Sequence, residues 1–254
     1  MDGQETLAEG TLVSHLIELR QCCIRALYAL LIVFLCLVYF TDEIFGLVAA
    51  PLIAVLPKGS QIQAIGITAS FMTPLKAVLY VSLMIAMPYV LYQVWRFVAP
   101  ALYRRERRFA VPVLASSIAL FYAGVAFAYF FVFRVLFSFL LTAAPKFVVV
   151  NPDIESFLQF WLRIIVAFGI AFEVPVAVFM LVWSGLVSLE TLASVRRYAF
   201  LGAFVAGMLL TPPDMWSQTL LAIPIYLLYE GGIVLARFVL GSRAAGAPTE
   251  LTRS

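Results

Sequence analysis

Ionisable side chains are scarce in this 254-residue chain: 12% of its residues are charged, and it holds one histidine and three cysteines. The cysteines, Cys22, Cys23 and Cys36, fall in or beside one apolar segment, with no metal-ligand spacing around them. That pattern excludes a disulfide framework and a zinc site and leaves the thiols as small packing residues. The HExxH, GxSxG, Walker and dinucleotide-binding signatures are absent, so nothing points to hydrolase, nucleotide-driven or redox chemistry. No metal, cofactor or nucleic acid is expected, the only basic cluster being a single loop. The amino terminus carries Asp2, Glu5 and Glu9, not the basic start of a cleavable signal peptide, and none is expected.

What is present is apolar. Hydrophobic residues make up 64% of the chain, against about 45–50% in a soluble domain. A core cannot absorb that excess, so the expected fold is an all-α integral membrane protein. Six transmembrane helices are expected, over residues 19–40, 74–94, 109–133, 157–187, 195–211 and 216–237, within one membrane domain, 1–254, ending in a polar tail, 238–254. The stretches 41–73 and 134–156, with Pro51, Pro57, Pro145 and Pro152, read as loops. Tyr198–Leu210 is an uninterrupted apolar run of only 13 residues, and Thr219–Tyr229 one of 11. As helices they reach roughly 20 Å or less, short of a hydrocarbon core of about 30 Å. The last two spans are therefore expected to be short, joined by the turn Thr211-Pro212-Pro213-Asp214.

Basic residues set the orientation. With the amino terminus inside, the inner segments hold twelve of the 17 lysines and arginines, among them Arg104, Arg105, Arg107, Arg108, Arg196 and Arg197. The outer side holds Lys58, Lys76, Arg134, Lys146 and Arg163. Both termini are thus expected in the cytoplasm. Trp95, Trp161, Trp183 and Trp216 lie near the expected interfaces, where an aromatic belt forms.

Few polar groups remain to carry a function. Glu173 falls near the expected bilayer midplane, two residues before Pro175. An ionised carboxylate there is costly by several kcal/mol, which makes an intramembrane acid a functional candidate. Pro175 should kink the helix and free the carbonyl of Ala171. A protonated acid that serves the fold alone is the other reading.

His15, Glu18, Cys22 and Arg25 recur at helical spacing and form one polar stripe at the inner end of the first span. They fit either a ligand site or an ordinary helix start capped by Thr11 or Ser14, with Glu18 near the positive end of the dipole. Glu106 sits alone among the arginines of Phe97-Val-Ala-Pro-Ala-Leu-Tyr-Arg-Arg-Glu-Arg-Arg108. It can pair with a neighbour at the surface for under about 1 kcal/mol. If a helix already runs there, it instead shares an apolar–aromatic face with Leu102, Tyr103 and Phe109, where a carboxylate binds guanidinium bidentately. Thr211, Asp214, Gln218 and Glu230 add polar groups around the last two spans.

Four stretches together resemble the TatC family, the multispanning subunit of the twin-arginine protein translocase. They are His15-Leu-Ile-Glu-Leu-Arg20; Tyr92-Gln-Val-Trp-Arg-Phe-Val-Ala-Pro-Ala-Leu-Tyr103 with Arg105-Glu-Arg-Arg108; Ala167-Phe-Gly-Ile-Ala-Phe-Glu-Val-Pro-Val176; and Gly202-Ala-Phe-Val-Ala-Gly-Met-Leu-Leu-Thr-Pro-Pro-Asp214. One departure is visible: Ala69, before Phe71, stands where many members carry a glutamate.

The resemblance implies a concave, glove-like bundle in the bacterial inner membrane that receives signal peptides bearing paired arginines and exports folded proteins. By position, Glu18, Phe97 and Glu106 would form the signal-peptide site, and Glu173 would be the family's intramembrane acid. Asp214 would be its outer-turn acid, and Met208, Thr211 and Gln218 would contact single-span partners of the TatA and TatB types. The resemblance also implies a homo-oligomer within the receptor complex, transport driven by the proton motive force and no enzymatic activity. The competing reading is a proton-coupled secondary transporter with Glu173 as relay carboxylate. Such proteins often show paired halves with broken helices at matching positions, and no internal repeat is visible here.

Overall fold

The computed structural model describes residues 2–55, 63–102, 110–143, 153–211 and 214–245. Among these the chain is almost wholly helical, with a single isolated bridge, Gln63 to Asp153, in place of strands. Five helical segments are long and apolar enough to cross a membrane: Leu16–Ala50, Ala69–Phe97, Val111–Phe139, Ile154–Trp183 and Met215–Val239. The chain divides into two compact units, Met1–Ile118 with Asn151–Leu158, and Ala119–Val150 with Gln159–Ser254.

In the first unit, α1 (Asp2–Leu37) and α2 (Thr41–Val55) both pack on α3 (Ala69–Leu102). Cys22, Ala26, Ala29, Leu30, Val33, Phe34 and Leu37 are the half-buried residues of α1. Their three- and four-residue spacing marks the face turned to α3, and its small residues let the helices approach closely. Leu27, Tyr28, Leu31, Ile32 and Leu35 point outward. Such a stripe would be unstable in water and matches lipid. A 3₁₀ turn, Val38–Phe40, links α1 to α2, and the Thr41 hydroxyl donates to the Val38 carbonyl at 2.5 Å. Thr41–Val55, read above as loop, is therefore helical. Asp42 and Glu43 in its first turn suit the positive end of the helix dipole, and Val48 and Ala49 are buried.

A polar knot closes the end of this unit where α3 begins. Asp153 caps α6 (Ile154–Ala171), accepting from the Ser156 N–H at 3.0 Å and the Ser156 hydroxyl at 2.8 Å. The Ile154 N–H donates to the Gln63 carbonyl at 2.8 Å, and Lys76 pairs with Glu155. Between the ends, Trp95 Nε1 donates to Ser117 Oγ at 3.0 Å, joining α3 to the start of α4 (Ala110–Phe127).

The second unit begins within α4. A π turn, Ala128–Val132, leads into α5 (Phe133–Ala143), so half of the stretch expected as loop is helix. Phe133, Leu136 and Phe137 explain it: they bury one face, and Arg134 lies outside. The expected continuous helix 157–187 is instead two, α6 and α7 (Val174–Trp183), separated by a turn at Phe172 and Glu173. Pro175 causes the break, because it has no N–H for the Ala171 carbonyl and its ring crowds that carbonyl. A short α8 (Leu189–Ser194) follows, entered through Gly185 at φ +76° and capped by Ser188, whose hydroxyl accepts from the Thr191 N–H at 3.1 Å.

Two helices complete the unit, and one corrects an expectation. α9 (Arg196–Leu210) has 15 residues, roughly 22 Å. α10 (Met215–Ala245) has 31, and its segment Met215–Val239 is long enough to cross. The closing helix is therefore not short. Counting apolar residues stopped at Glu230, yet that carboxylate is neutralised by Arg196, with Nε to Oε1 at 2.9 Å, so the helix runs on through it.

Candidate functional site

Glu18 lies four residues before Cys22 on the α1 face that meets α3, and its side chain is exposed. Phe97 is the last side chain described on α3 and is half-buried. Glu106 and its four arginines lie outside the described residues. Two of the three expected signal-peptide residues thus sit on helices that pack together, and the third is not among the residues the structure describes.

Glu173 occupies the turn between α6 and α7, half-buried, and not the interior of a continuous helix. Its N–H donates to the Ile170 carbonyl at 3.0 Å, and its carbonyl accepts from the Ala177 N–H at 2.9 Å. Because it precedes the first residue of α7, its carboxyl stands at the positive end of that helix. The same proline that breaks the helix therefore sets the acid at a helix N-terminus, where a negative charge is favoured.

Around the α9–α10 turn, Asp214, Thr211 and Gln218 each have a structural partner. The Asp214 Oδ1 accepts from the Ser217 N–H at 2.7 Å and so caps α10. Thr211 is buried at the end of α9, where its hydroxyl and its N–H both donate to the Gly207 carbonyl, at 2.9 and 3.1 Å. Gln218 Nε2 donates to the Phe204 carbonyl at 3.1 Å, fastening α10 to α9. Met208 differs from these in being 51% exposed. Of the three residues expected to contact a partner, it alone presents its side chain outward.

Sequence reasoning missed the cluster on α9 and α10. Besides the Arg196–Glu230 pair, Tyr226 donates its hydroxyl to the same Glu230 oxygen at 2.9 Å, and Tyr229 donates to the Leu192 carbonyl on α8 at 2.7 Å. Tyr226, Tyr229 and Glu230 lie three and four residues apart, a helical spacing that was visible. Leu192 and Arg196, the partners of Tyr229 and Glu230, lie far away along the chain and were not. Among the described residues, no three His, Cys, Asp or Glu side chains converge as a metal site would require.

Such long apolar helices, outward-facing aliphatic stripes and sparse, paired polar groups define a multi-pass helical membrane protein. Residues 14–224 match the family model described as Sec-independent protein translocase protein (TatC). The chain is 53% identical over 230 residues to the TatC protein of Escherichia coli (strain K12), covering 91% of this chain and 89% of that one. It is 49% identical to the TatC protein of Haemophilus influenzae, covering 89% of each. A crystal structure of the twin-arginine translocase receptor TatC superposes with a TM-score of 0.80 at 38% identity, covering 89% of this chain and 99% of that one. The chain belongs to the TatC family of Sec-independent protein translocase proteins.

Proposed function

We propose that this chain is the receptor core of a twin-arginine translocase: a membrane-embedded binding protein, not an enzyme, that admits folded cargo for export. The observation that carries the reading is the likeness to the twin-arginine receptor over nearly its whole length. Five candidate spans support a multi-pass topology. With α9 as a sixth, short crossing, both termini lie in the cytoplasm and the chain forms one concave membrane domain in the bacterial inner membrane.

In that topology the first two spans run in opposite directions, which brings the Glu18 end of α1 and the Phe97 end of α3 to the same side. Glu106, nine residues beyond Phe97, then supplies the second carboxylate. Two acids beside an aromatic ring suit a pair of guanidinium groups, which carboxylates bind bidentately and aromatic faces stack upon. Lysine is a poorer fit, being a compact and strongly hydrated charge. The face of α9 that carries Met208 receives single-span partners of the TatA and TatB types, with Thr211 and Gln218 shaping it from beneath. The receptor works as an oligomer, and transport draws on the proton motive force.

Photo-crosslinking from positions 18, 97 and 106 to a twin-arginine peptide tests the site. Crosslinks that a twin-lysine peptide does not give are expected from all three positions. Equal labelling by both peptides would remove the site.

A further inference from the structure

The helix α9 is too short for the bilayer to fix its height. Its own contacts must do so, and they are arranged as rungs along α10. A Cβ on Gly207 would stand 2.9 Å from the Gln218 carbonyl oxygen, so the two backbones nearly touch there. One turn nearer the start of α9, the Phe204 carbonyl takes the Gln218 amide. The next rung is Phe200 against Tyr226, edge to face with centroids 5.4 Å apart. The last is Arg196 with Glu230. As α9 runs back from Phe204 to Phe200 to Arg196, the partners on α10 advance from Gln218 to Tyr226 to Glu230, the signature of an antiparallel pair.

These rungs differ in what they specify. Apolar and glycine contacts between helices recur at each turn, so a slide of about 5.4 Å offers a comparable fit. An ion pair has no equivalent one turn away, and polar residues set register in this manner in packed helices. The helix α10 is also anchored next to Glu230. Tyr229 bonds to the Leu192 carbonyl, and a Cβ on Gly232 would come within 2.9 Å of Pro175 Cα, so α10 is seated closely on α7 and α8 at this level. Leu192, Val178 and Ile233 form the buried core of that seat. Glu230 therefore belongs to a fixed frame, and Arg196 attaches α9 to it.

We infer that Arg196 and Glu230, assisted by Tyr226, are positioning residues that pin the register of α9 and so set the height of its exposed row, Leu201, Val205, Met208 and Leu209. The consequence for partners rests on the reading that a single-span helix docks on this row; the register itself does not.

The test uses the full chain with its three cysteines replaced by alanine. Spin labels at Leu201 and Leu227, each 60% exposed on α9 and α10, report register through their distance distribution. A cysteine at Met208 reports docking through disulfide capture of a single-span partner. Glu230→Gln and Arg196→Gln are expected to add a second distance population displaced by about one helical turn, ~5 Å, and to lower capture about tenfold at equal membrane levels. The exchange Arg196→Glu with Glu230→Arg is expected to restore a single population and most of the capture. An unchanged distribution in Glu230→Gln, or an exchange no better than either single variant, overturns the pin. If Glu230→Gln does not accumulate, Tyr226→Phe carries the test, since it removes one hydrogen bond and no charge. Partial broadening is then expected, and an unbroadened distribution overturns the pin. Broadening in these variants, with no capture from position 208 even in the parent chain, retains the pin and removes the docking reading.

Discussion

Gly124 and Phe172 interlock where α4 crosses α6: a Cβ on Gly124 would stand 2.9 Å from the Phe172 Cβ and 2.6 Å from the Phe168 carbonyl oxygen. The relation is reciprocal, because a Cβ on Gly169 would fall 2.5 Å from the Phe121 ring. Each helix offers a glycine to an aromatic of the other. Phe127, stacked on Phe131 at 5.1 Å and tilted against Phe168 at 5.6 Å, extends the contact. Helices in lipid lack a hydrophobic drive to associate, so this close fit carries the packing.

Gly124→Ala should therefore destabilise the protein by about 1–3 kcal/mol, the usual cost of overpacking. Gly202→Ala, where nothing lies within 4 Å of the new atom, should be neutral or gain about 1 kcal/mol from helix propensity. Denaturant titration in detergent compares the two. Equal effects would deny the interlock.

Asp153 predicts a pH dependence. The Ser156 N–H, then the Ser156 hydroxyl, and more weakly the Ile65 N–H hold its carboxyl below the ordinary range. With the folded value depressed, the stability it contributes is complete above the unfolded value of about 3.9 and is lost as pH falls through the lower folded value. Asn at this position keeps a capping oxygen and does not titrate. The thermal midpoint of the parent should fall more steeply than that of Asp153→Asn below about pH 4, and parallel curves would disprove the coupling.

Asp214 offers a separation of roles. As the cap of α10 it should cost about 1 kcal/mol when changed to Ala and almost nothing when changed to Asn. Unfolding measurements on both variants check this. If Asp214→Asn is stable yet fails to export, the negative charge itself has a task beyond capping.

Glu173→Ala should impair export or complex assembly more than first-stage recognition of a twin-arginine peptide. Peptide affinity and export by the same membranes supply the comparison. Normal export would leave Glu173 as a residue of the fold alone.

If the shortness of α9 thins the bilayer, at a fraction of a kcal/mol per Å of mismatch, lengthening should reduce export. One apolar turn added after Leu210, with a matching turn before Trp216, lengthens the hairpin and preserves the Arg196–Glu230 pair. Full export by that variant would count against thinning.

The long apolar runs revealed the membrane class directly, and Pro175 announced a kink where the structure has a full break after Ala171. The helices α2 and α5 were hidden by prolines at positions 51 and 145, although Val48 and Leu136 carried the buried faces. The expected bounds of the last helix, 216–237, already ran past Glu230, and what stayed hidden is why α10 tolerates that acid. A glutamate ends an apolar run only while it stands alone, and Arg196, 34 positions earlier in the sequence, is far outside any window that reads local hydropathy. Spacing placed Glu18 on the face of α1 that meets α3, but nothing local fixes which way Glu106 turns.

The π turn at Ala128–Val132 has a consequence for the reading frame of this helical rod. Gly124, Ala128, Val132 and Leu136 are all buried, in three successive steps of four residues. On a straight α-helix those steps would drift by about 120°, carrying Leu136 away from the side that Gly124 faces. The wider turn absorbs most of that drift, so it acts as a one-residue insertion written into the helix. Deleting a single residue there, such as the outward-facing Phe130, would leave an unbroken α-helix in which Gly124 and Leu136 stand eleven residues apart, about 20° from alignment, so the two buried faces keep their common side. The frame of this segment is thus fixed by the faces it joins, and its length carries one residue to spare.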